Sequence, residues 1–493
     1  MNSLVPADRL HTLNAGDVRP DAGHVVYWMT AARRTRFNFG LQRAADWSRE
    51  LGLPLVVLEA LRCDYPWASD RLHRFVLDGM ADNVQRWRDR GIAHLCYVED
   101  DRGAGSGLLA ALSADAAVVI TDWYPTFFIP RMLDAAARVV SVRLESVDSN
   151  GLIPLRSTDG EFATAYAFRR HVQKTLLDHL DRLPLEDPLA EDLPRGSGLP
   201  AAVVDRWRPA NEALFDGNDA SVAGLPIDHS VSIVGLRGGE IAARRRLSRF
   251  VRTLLSGYAD RRNRPEEDAT SGLSPYLHFG HVSAHEVFLE VVRSQRWSGD
   301  DVTPPANGRR AGWWGLSESV EGFLDQLVTW RELGYQFCHH RPDHERWSSL
   351  PDWARRTLDE HAGDPRDHVY DVERFEAADT HDELWNAAQT QLVRDGTIHN
   401  YLRMLWGKKI LEWTADPRQA LDVMLELNNK YALDGRDPNS VSGIFWVLGR
   451  HDRPWGPERP IFGKVRYMSS DNTRRKMSVS GYLKRYGDAG ATA

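Results

Sequence analysis

Residues 384–413 read LWNAAQTQLVRDGTIHNYLRMLWGKKILEW. The stretch carries three tryptophans, Trp385, Trp406 and Trp413, around an Asn-Tyr-Leu-Arg-Met core at 400–404. No Pro or Gly interrupts Thr397 to Leu405, and Ile398, Leu402, Leu405 and Ile410 recur at helical spacing. The pattern predicts one helix over 398–413, preceded by a shorter one that breaks near Gly396. Trp406 and Trp413 stand one heptad apart, roughly 10 Å along the axis at about 1.5 Å per residue, and so share a face. Two large rings on one face are usually core. Whether they do more depends on the rest of the chain.

The chain has 493 residues, 42% of them apolar, enough for two or three domains with a large core. No apolar run reaches the eighteen or so residues of a membrane span, so no membrane partner is expected. The opening, MNSLVPADRLHTLNAGDVRP, has neither a basic leader nor an apolar signal core, which predicts a cytoplasmic protein. Cys63, Cys96 and Cys338 form no metal-ligand pair and read as small buried hydrophobes, so no metal is expected. A net charge of −7 argues against a nucleic-acid partner for the chain as a whole. Its distribution argues the other way. From Arg450 to Arg485, ten Arg or Lys face three acidic residues, as a local phosphate-binding patch requires. A second basic cluster, Arg244 to Arg264, reads equally well as a solvated face.

The N-terminal part alternates apolar, β-branched runs with amphipathic ones. HVVYWM (24–29), LPLVVLEAL (53–61), AHLCYVED (93–100), AAVVITDWYP (116–125) and VVSVRLESV (139–147) predict strands; 75–87 and 108–114 predict helices. Such alternation implies a parallel α/β sheet with ligands beyond its strand C-termini, near Trp28, Asp122 or Trp123. The run Gly103-Ala-Gly105-Ser-Gly107 does not fit a dinucleotide fingerprint, because its third Gly is misplaced and it follows acidic residues. Prolines then break up 151–235 into a connector, and helical periodicity takes over beyond it. The expected organisation is an α/β domain at 1–150, a connector at 151–235, an all-helical domain at 236–487 and a tail at 488–493.

Residues 270–280, TSGLSPYLHFG, offer two hydroxyls, a glycine and a Ser-Pro helix start, a turn suited to holding a phosphate on backbone N–H groups. With Tyr258 twelve residues ahead of Thr270, this stretch resembles the flavin pyrophosphate site of the photolyase/cryptochrome family. VTWREL (328–333) and HNYLRM (399–404) agree with it. WNAAQ (385–389), WGKKILEWT (406–414), LNNKYALDGRDPN (427–439) and ERPIFGKVRYM (458–468) are similar to class II cyclobutane pyrimidine dimer photolyases. The resemblance covers nearly the whole chain and is strongest from 240 to 476.

It implies a Rossmann-like α/β antenna domain followed by an all-α FAD-binding domain. Tyr258, Thr270, Ser271, Gly272, Leu273 and Ser274 would hold the FAD pyrophosphate. Arg331, Asn400, Arg403, Asn428 and Asp434 would line the adenine and isoalloxazine. Trp406, Trp385 and Trp413 would form an electron wire, with Trp406 nearest the flavin, Trp385 between and Trp413 at the surface. The activity implied is light-driven repair of pyrimidine dimers in double-stranded DNA by a monomer, with the lesion flipped out of the duplex. Trp330 and Trp446 would stack on the dimer, with Met404 as a soft contact. Lys464 and Arg466 would enter the vacated duplex, and Trp455 would pack beneath their turn. A reduced folate or a deazaflavin would serve as antenna.

One position departs from the pattern. Photolyases generally place a glutamate four residues before the Trp of this helix, and here Gln326 stands there, with Asp325 as the nearby alternative carboxylate. Two other readings share the fold. A cryptochrome-like photoreceptor would not need the lesion-pocket aromatics and basic turn retained here. A (6-4) photolyase would rely on a histidine pair, and His278 and His281 lie instead inside the flavin motif.

Overall fold

Five apolar runs of the N-terminal part become strands of one sheet in the computed structural model, which describes residues 5–196 and 198–487. They are β2 (His24–Met29), β3 (Leu55–Leu61), β4 (Ala93–Val98), β5 (Ala116–Asp122) and β6 (Arg143–Val147), all mutually parallel. A sixth strand, β1 (Leu10–Thr12), adds antiparallel to β6, so the order is β1-β6-β5-β2-β3-β4 and the sheet is mixed. Three residues are too few to show a period, which is why β1 leaves no trace in the pattern. The inner strands are buried on both sides, as continuous Val and Ile runs require. Helices α1 (Phe39–Leu51), α2 (Asp70–Arg90), α3 (Leu108–Ser113) and α4 (Ile129–Val139) supply the connections. At the end of β5 the Asp122 carboxylate accepts the N–H groups of Thr30, Ala31 and Ala32, each at 2.9 Å, and the Tyr27 hydroxyl at 2.8 Å. It thereby fixes the turn that leaves β2.

The chain divides into two units. The first comprises the chain through Asp159, Lys174–Arg249 and Gly272–Gly299; the second comprises Gly160–Gln173, Phe250–Ser271 and the chain from Asp300. This differs from the expected division. Most of the expected connector belongs to the first unit, because Val222 and Leu225 bury themselves with Leu61, Leu77 and Met80 instead of building a core of their own. Residues 236–249 and 272–299, expected in the helical domain, also belong to the first unit. The tail at 488–493 lies outside the described residues.

The second unit is helical: α5 (Glu318–Leu324), α6 (Arg331–His340), α7 (Asp352–Glu360), α8 (Glu383–Asp395), α9 (Asn400–Trp413), α10 (Pro417–Tyr431) and α11 (Pro438–Val447). Their ends follow from local chemistry. Asp382 caps α8 through the N–H groups of Leu384 and Trp385, and Gly396, at φ 67°, ends it. Asp416 and Asp437 cap α10 and α11, each followed by Pro at the first helical position. The Tyr335 hydroxyl of α6 also donates to Asp437, at 2.9 Å, so one carboxylate both caps α11 and anchors α6. Between α5 and α6 a π turn, Asp325–Trp330, inserts one residue into the helical ladder, a local cost often met at functional sites.

Glycines set how closely these helices approach. A Cβ at Gly334 of α6 would lie 2.7 Å from the Asn439 backbone of α11. A Cβ at Gly407 of α9 would lie 2.7 Å from Val447 of α11 and 3.0 Å from Met424 of α10. Gly322 of α5 has nothing within 4 Å of its missing Cβ. Gly322→Ala should therefore raise stability by about 0.5–1 kcal/mol, the entropic cost of glycine in a helix. Gly334→Ala should lower it by about 1–3 kcal/mol through overpacking against backbone that cannot yield. Thermal or denaturant melts of the two variants check the opposite signs.

Candidate functional site

Helix α9 carries several of the candidate site residues on successive turns. Trp406 is buried and donates its indole N–H to Gln389 Oε1 at 2.8 Å. Trp385, on α8, is fully buried and donates its own indole N–H to the carbonyl of Trp406 at 3.0 Å. Its ring meets that of Trp413 edge to face, with centroids 6.0 Å apart. Trp406 is thus linked to Trp385 by a hydrogen bond through its backbone carbonyl, and Trp385 to Trp413 by ring contact. Trp413, expected at the surface, is only 3% exposed. Residues 368–381 fold over it: Tyr370 donates its N–H to the Trp413 carbonyl and lies 5.9 Å away ring to ring, with His381 at 4.8 Å. Sequence reasoning missed Gln389, though WNAAQ places it four residues after Trp385, on the same helix face.

Three residues before Trp406, Arg403 donates to Asp434 Oδ1 at 2.7 Å, and both side chains are largely buried. The Arg403 Nε is buried without a hydrogen-bond partner, an N–H free for an acceptor from outside the protein. Asn400 stands exposed at the first position of α9. Asn428 is buried, its amide donating to Ser440 Oγ at 3.0 Å and Asn429 Oδ1 at 3.2 Å. Arg331 is buried with its guanidinium 4.3 Å from the Tyr335 ring centroid. Tyr258 follows a second π turn, Phe250–Leu254, and is held edge-on by Phe250 and Phe323; burial raises its pKa.

The 270–274 turn is shared between the units, with Thr270 and Ser271 in the second and Gly272, Leu273 and Ser274 in the first. Gly272 adopts φ 62°, and a Cβ there would meet the Arg246 guanidinium at 2.7 Å. The Ser-Pro start does open a helix, but one of only five residues, Ser274–His278, whose N-cap is Leu273 with no side-chain cap. His278 is buried against the Tyr124 hydroxyl at 3.0 Å. His281 is fully buried, accepts from Gly239 N–H, and burial pushes its pKa down to about 3. Neither histidine is offered to a lesion.

Trp330 and Gln326 are half-buried on the π turn, where the Gln326 carbonyl accepts the N–H of Arg331. Asp325 is committed elsewhere, held by both guanidinium arms of Arg169 at 2.6 and 3.1 Å. Met404 approaches α11 at Gly443, one turn ahead of the half-buried Trp446. Arg466 lies 5.4 Å from the Trp446 ring centroid and 4.0 Å from that of Trp455, and donates to Asp452 at 2.9 Å. Trp455 donates its indole N–H to the same carboxylate and its backbone N–H to the Lys464 carbonyl. Lys464 is exposed and paired with Glu458 at 3.0 Å.

The basic stretch is less basic than it reads. Arg450 is 4% exposed, bound to Glu161 and Ser349 O and stacked on Phe337, so it faces the interior. Lys464, Arg466 and Arg474 also have carboxylate partners. In the 244–264 cluster, Arg244 pairs with Glu286, while Arg261 and Arg264 pair with Glu267.

The first unit holds a cavity of about 340 Å³ beyond the C-terminal ends of β2, β3 and β4, lined by Trp28, Arg33, Arg62, Tyr65, Tyr97, Glu99 and Phe128 among others. Gly103, Gly105 and Ser106, unfit for a dinucleotide, line it too. Gly105 N–H donates to Glu99, and burial beside Glu99 pushes Tyr97 up to about 12. Asp122 and Trp123 do not line it. Among the described residues no cluster suited to a metal ion occurs, and no helix is long and apolar enough to cross a membrane.

No protein-family model matches the chain. The deoxyribodipyrimidine photo-lyase of Methanothermobacter thermautotrophicus is 35% identical over 487 residues, covering 98% of each chain. That of Oryza sativa subsp. japonica is 33% identical, covering 96% of this chain and 89% of its own. A class III photolyase from Agrobacterium tumefaciens shares the fold at a TM-score of 0.65 and 18% identity, covering 96% of this chain and 87% of that one. A Synechocystis cryptochrome does so at 0.66 and 14%, covering 94% and 88%. Fold alone does not separate those two, but full-length identity does: the chain belongs to the deoxyribodipyrimidine photo-lyases of the photolyase/cryptochrome family.

Proposed function

We propose that this light-dependent lyase splits cyclobutane pyrimidine dimers through residues gathered on α9 and its neighbours. The observation that carries the reading is the chain of contacts from Trp406 through Trp385 to Trp413, which starts one helical turn from the Arg403–Asp434 pair. Bound FAD supplies the chemistry, an electron lent to the dimer on excitation and returned after the ring opens. Tyr258, Thr270, Ser271 and Gly272–Ser274 hold its pyrophosphate; Arg331, Asn400, Arg403, Asn428 and Asp434 hold the rest. The unpartnered Arg403 Nε fits such a ligand, because its N–H needs an acceptor. Asp434 keeps that guanidinium aimed and balances its charge.

Trp406, Trp385 and Trp413 relay electrons inward to restore the reduced cofactor, and take no part in ring splitting. The dimer leaves the duplex at a cost of a few kcal/mol, smaller for a poorly stacked lesion. Trp330 and Trp446 stack on it, Met404 contacts it and Gln326 donates an amide N–H to it. Arg466, stiffened by Trp455 and Asp452, fills the gap in the duplex with Lys464 beside it. The protein works as a cytoplasmic monomer. The cavity above β2, β3 and β4 receives the antenna, a reduced folate or a deazaflavin, whose flat ring suits Trp28, Tyr65 and Phe128.

Trp406→Phe should abolish photoreduction of oxidised flavin, while repair by chemically pre-reduced protein stays near the parent's. Equal photoreduction rates would remove Trp406 from the path. At Gln326, Leu should weaken dimer binding by about 1–3 kcal/mol, because a dimer carbonyl loses its donor, whereas Glu should change it by about 1 kcal/mol or less. Desolvation beside a bound dimer favours the protonated Glu, which still donates. Dimer affinity and repair yield per absorbed photon decide this; if Leu matched Gln in both, residue 326 would not face the lesion. Glu99→Gln should lower the yield of a second chromophore extracted from native protein and leave flavin content unchanged, as absorbance spectra would show.

A further inference from the structure

Lys408 is a buried charge that neither the electron path nor the cofactor contacts use. Its residue is fully buried on α9, and its ammonium donates to the carbonyl of Val447, the last residue of α11. The same ammonium lies 5.4 Å from the Trp446 ring centroid. The adjacent Gly407 makes this reach possible, since its missing side chain leaves α9 in contact with Val447. The charged groups facing Lys408 are Asp452 and Arg466, and Arg466 stands at 5.4 Å from the same Trp446 ring. Burial pushes the Lys408 pKa down to about 7. An ammonium without a carboxylate in contact is a costly thing to bury, and an apolar side chain of the same length would fold as well or better. Fold stability therefore does not account for Lys408.

We propose that Lys408 is a positioning residue for the dimer: it fixes the Trp446 ring, and with it Arg466, in the arrangement that receives the flipped lesion. The proposal rests on Trp446 being a wall of the lesion pocket. Lys408 acts twice on that wall. Its bond to the Val447 carbonyl pins the end of α11 one residue beyond Trp446, and its charge attracts the ring. Trp446 is then ordered before the lesion arrives, and binding no longer has to order it. The flavin helix and the lesion wall are joined at one atom.

The test is the preference of flavin-loaded, full-length protein for dimer-containing over undamaged duplex, measured for parent, Lys408→Met, Trp446→Phe and the double variant. Taking the ratio cancels phosphate contacts common to both duplexes. Lys408→Met should lower the preference roughly tenfold, the scale of one desolvated cation–ring contact. The double variant should be no worse than Trp446→Phe alone, because Lys408 acts through that ring. In the parent, the preference should fall as pH rises through about 7, where the ammonium is lost, and Lys408→Met should be flat over that range. Unchanged preference in Lys408→Met, additive losses in the double variant, or a pH-independent parent would each overturn the proposal. If Trp446→Phe itself changed nothing, the lesion-pocket assignment would fall, and this inference with it. The parent's pH profile keeps the question open to measurement even if Lys408→Met failed to hold flavin.

Discussion

The close approach of α9 to α10 and α11 at Gly407 governs the site. A methyl group there would collide with Val447 and Met424. Without it, one helix presents Arg403 to Asp434, Met404 to Gly443, Trp406 to Gln389 and Trp385, and Lys408 to Val447. Residues at consecutive positions on a helix point about 100° apart, so a helix serving all these partners must be surrounded by them. That explains why α9 shows little amphipathic pattern. It has no solvent stripe over most of its length, and Leu405 to Trp413 is buried apart from Glu412.

Such a helix confines charge to the interior, and the second unit handles each case differently. Arg169 and Asp325 neutralise one another through two hydrogen bonds. Arg450 is bound by Glu161, by a carbonyl and by the face of Phe337, with its Nε unpartnered. Arg403 is half satisfied, paired with Asp434 but with Nε unpartnered. Lys408 has a carbonyl and an aromatic ring, but no carboxylate in contact. Buried pairs contribute little net stability, while breaking one costs several kcal/mol. Lys408 differs in kind from these three arginines, each of which holds a carboxylate while it does not.

Much of this was legible in the sequence, for identifiable reasons. Strands β2 to β6 are continuous apolar runs bounded by turn residues, so their pattern survives any tertiary context. Strand β1 is held by pairing with β6, which no local pattern records. Gly396 marked the break between α8 and α9 because only glycine takes its left-handed conformation cheaply. Trp413 was expected at the surface from the family resemblance, whereas helical spacing alone pointed to core; the residues that cover it, Tyr370 and His381, lie more than thirty positions earlier. The charge of the C-terminal stretch misled for a similar reason. Arg450 finds Glu161 across 289 residues, and Asp452 binds Arg466 by a loop that periodicity cannot describe.

The π turn at Asp325–Trp330 bears on the absent glutamate. Neighbouring residues on such a turn point in different directions, and Asp325 points inward to Arg169 while Gln326 stays partly open. Bringing the Asp325 carboxylate to a lesion would strand the buried Arg169 guanidinium, at a cost of about 3–5 kcal/mol. A hydrogen bond to a neutral dimer carbonyl returns only about 0.5–1.5 kcal/mol. Asp325 thus does not replace the carboxyl that residue 326 lacks. In the proposed lesion pocket, position 326 offers an amide, which donates a hydrogen bond but cannot supply a proton.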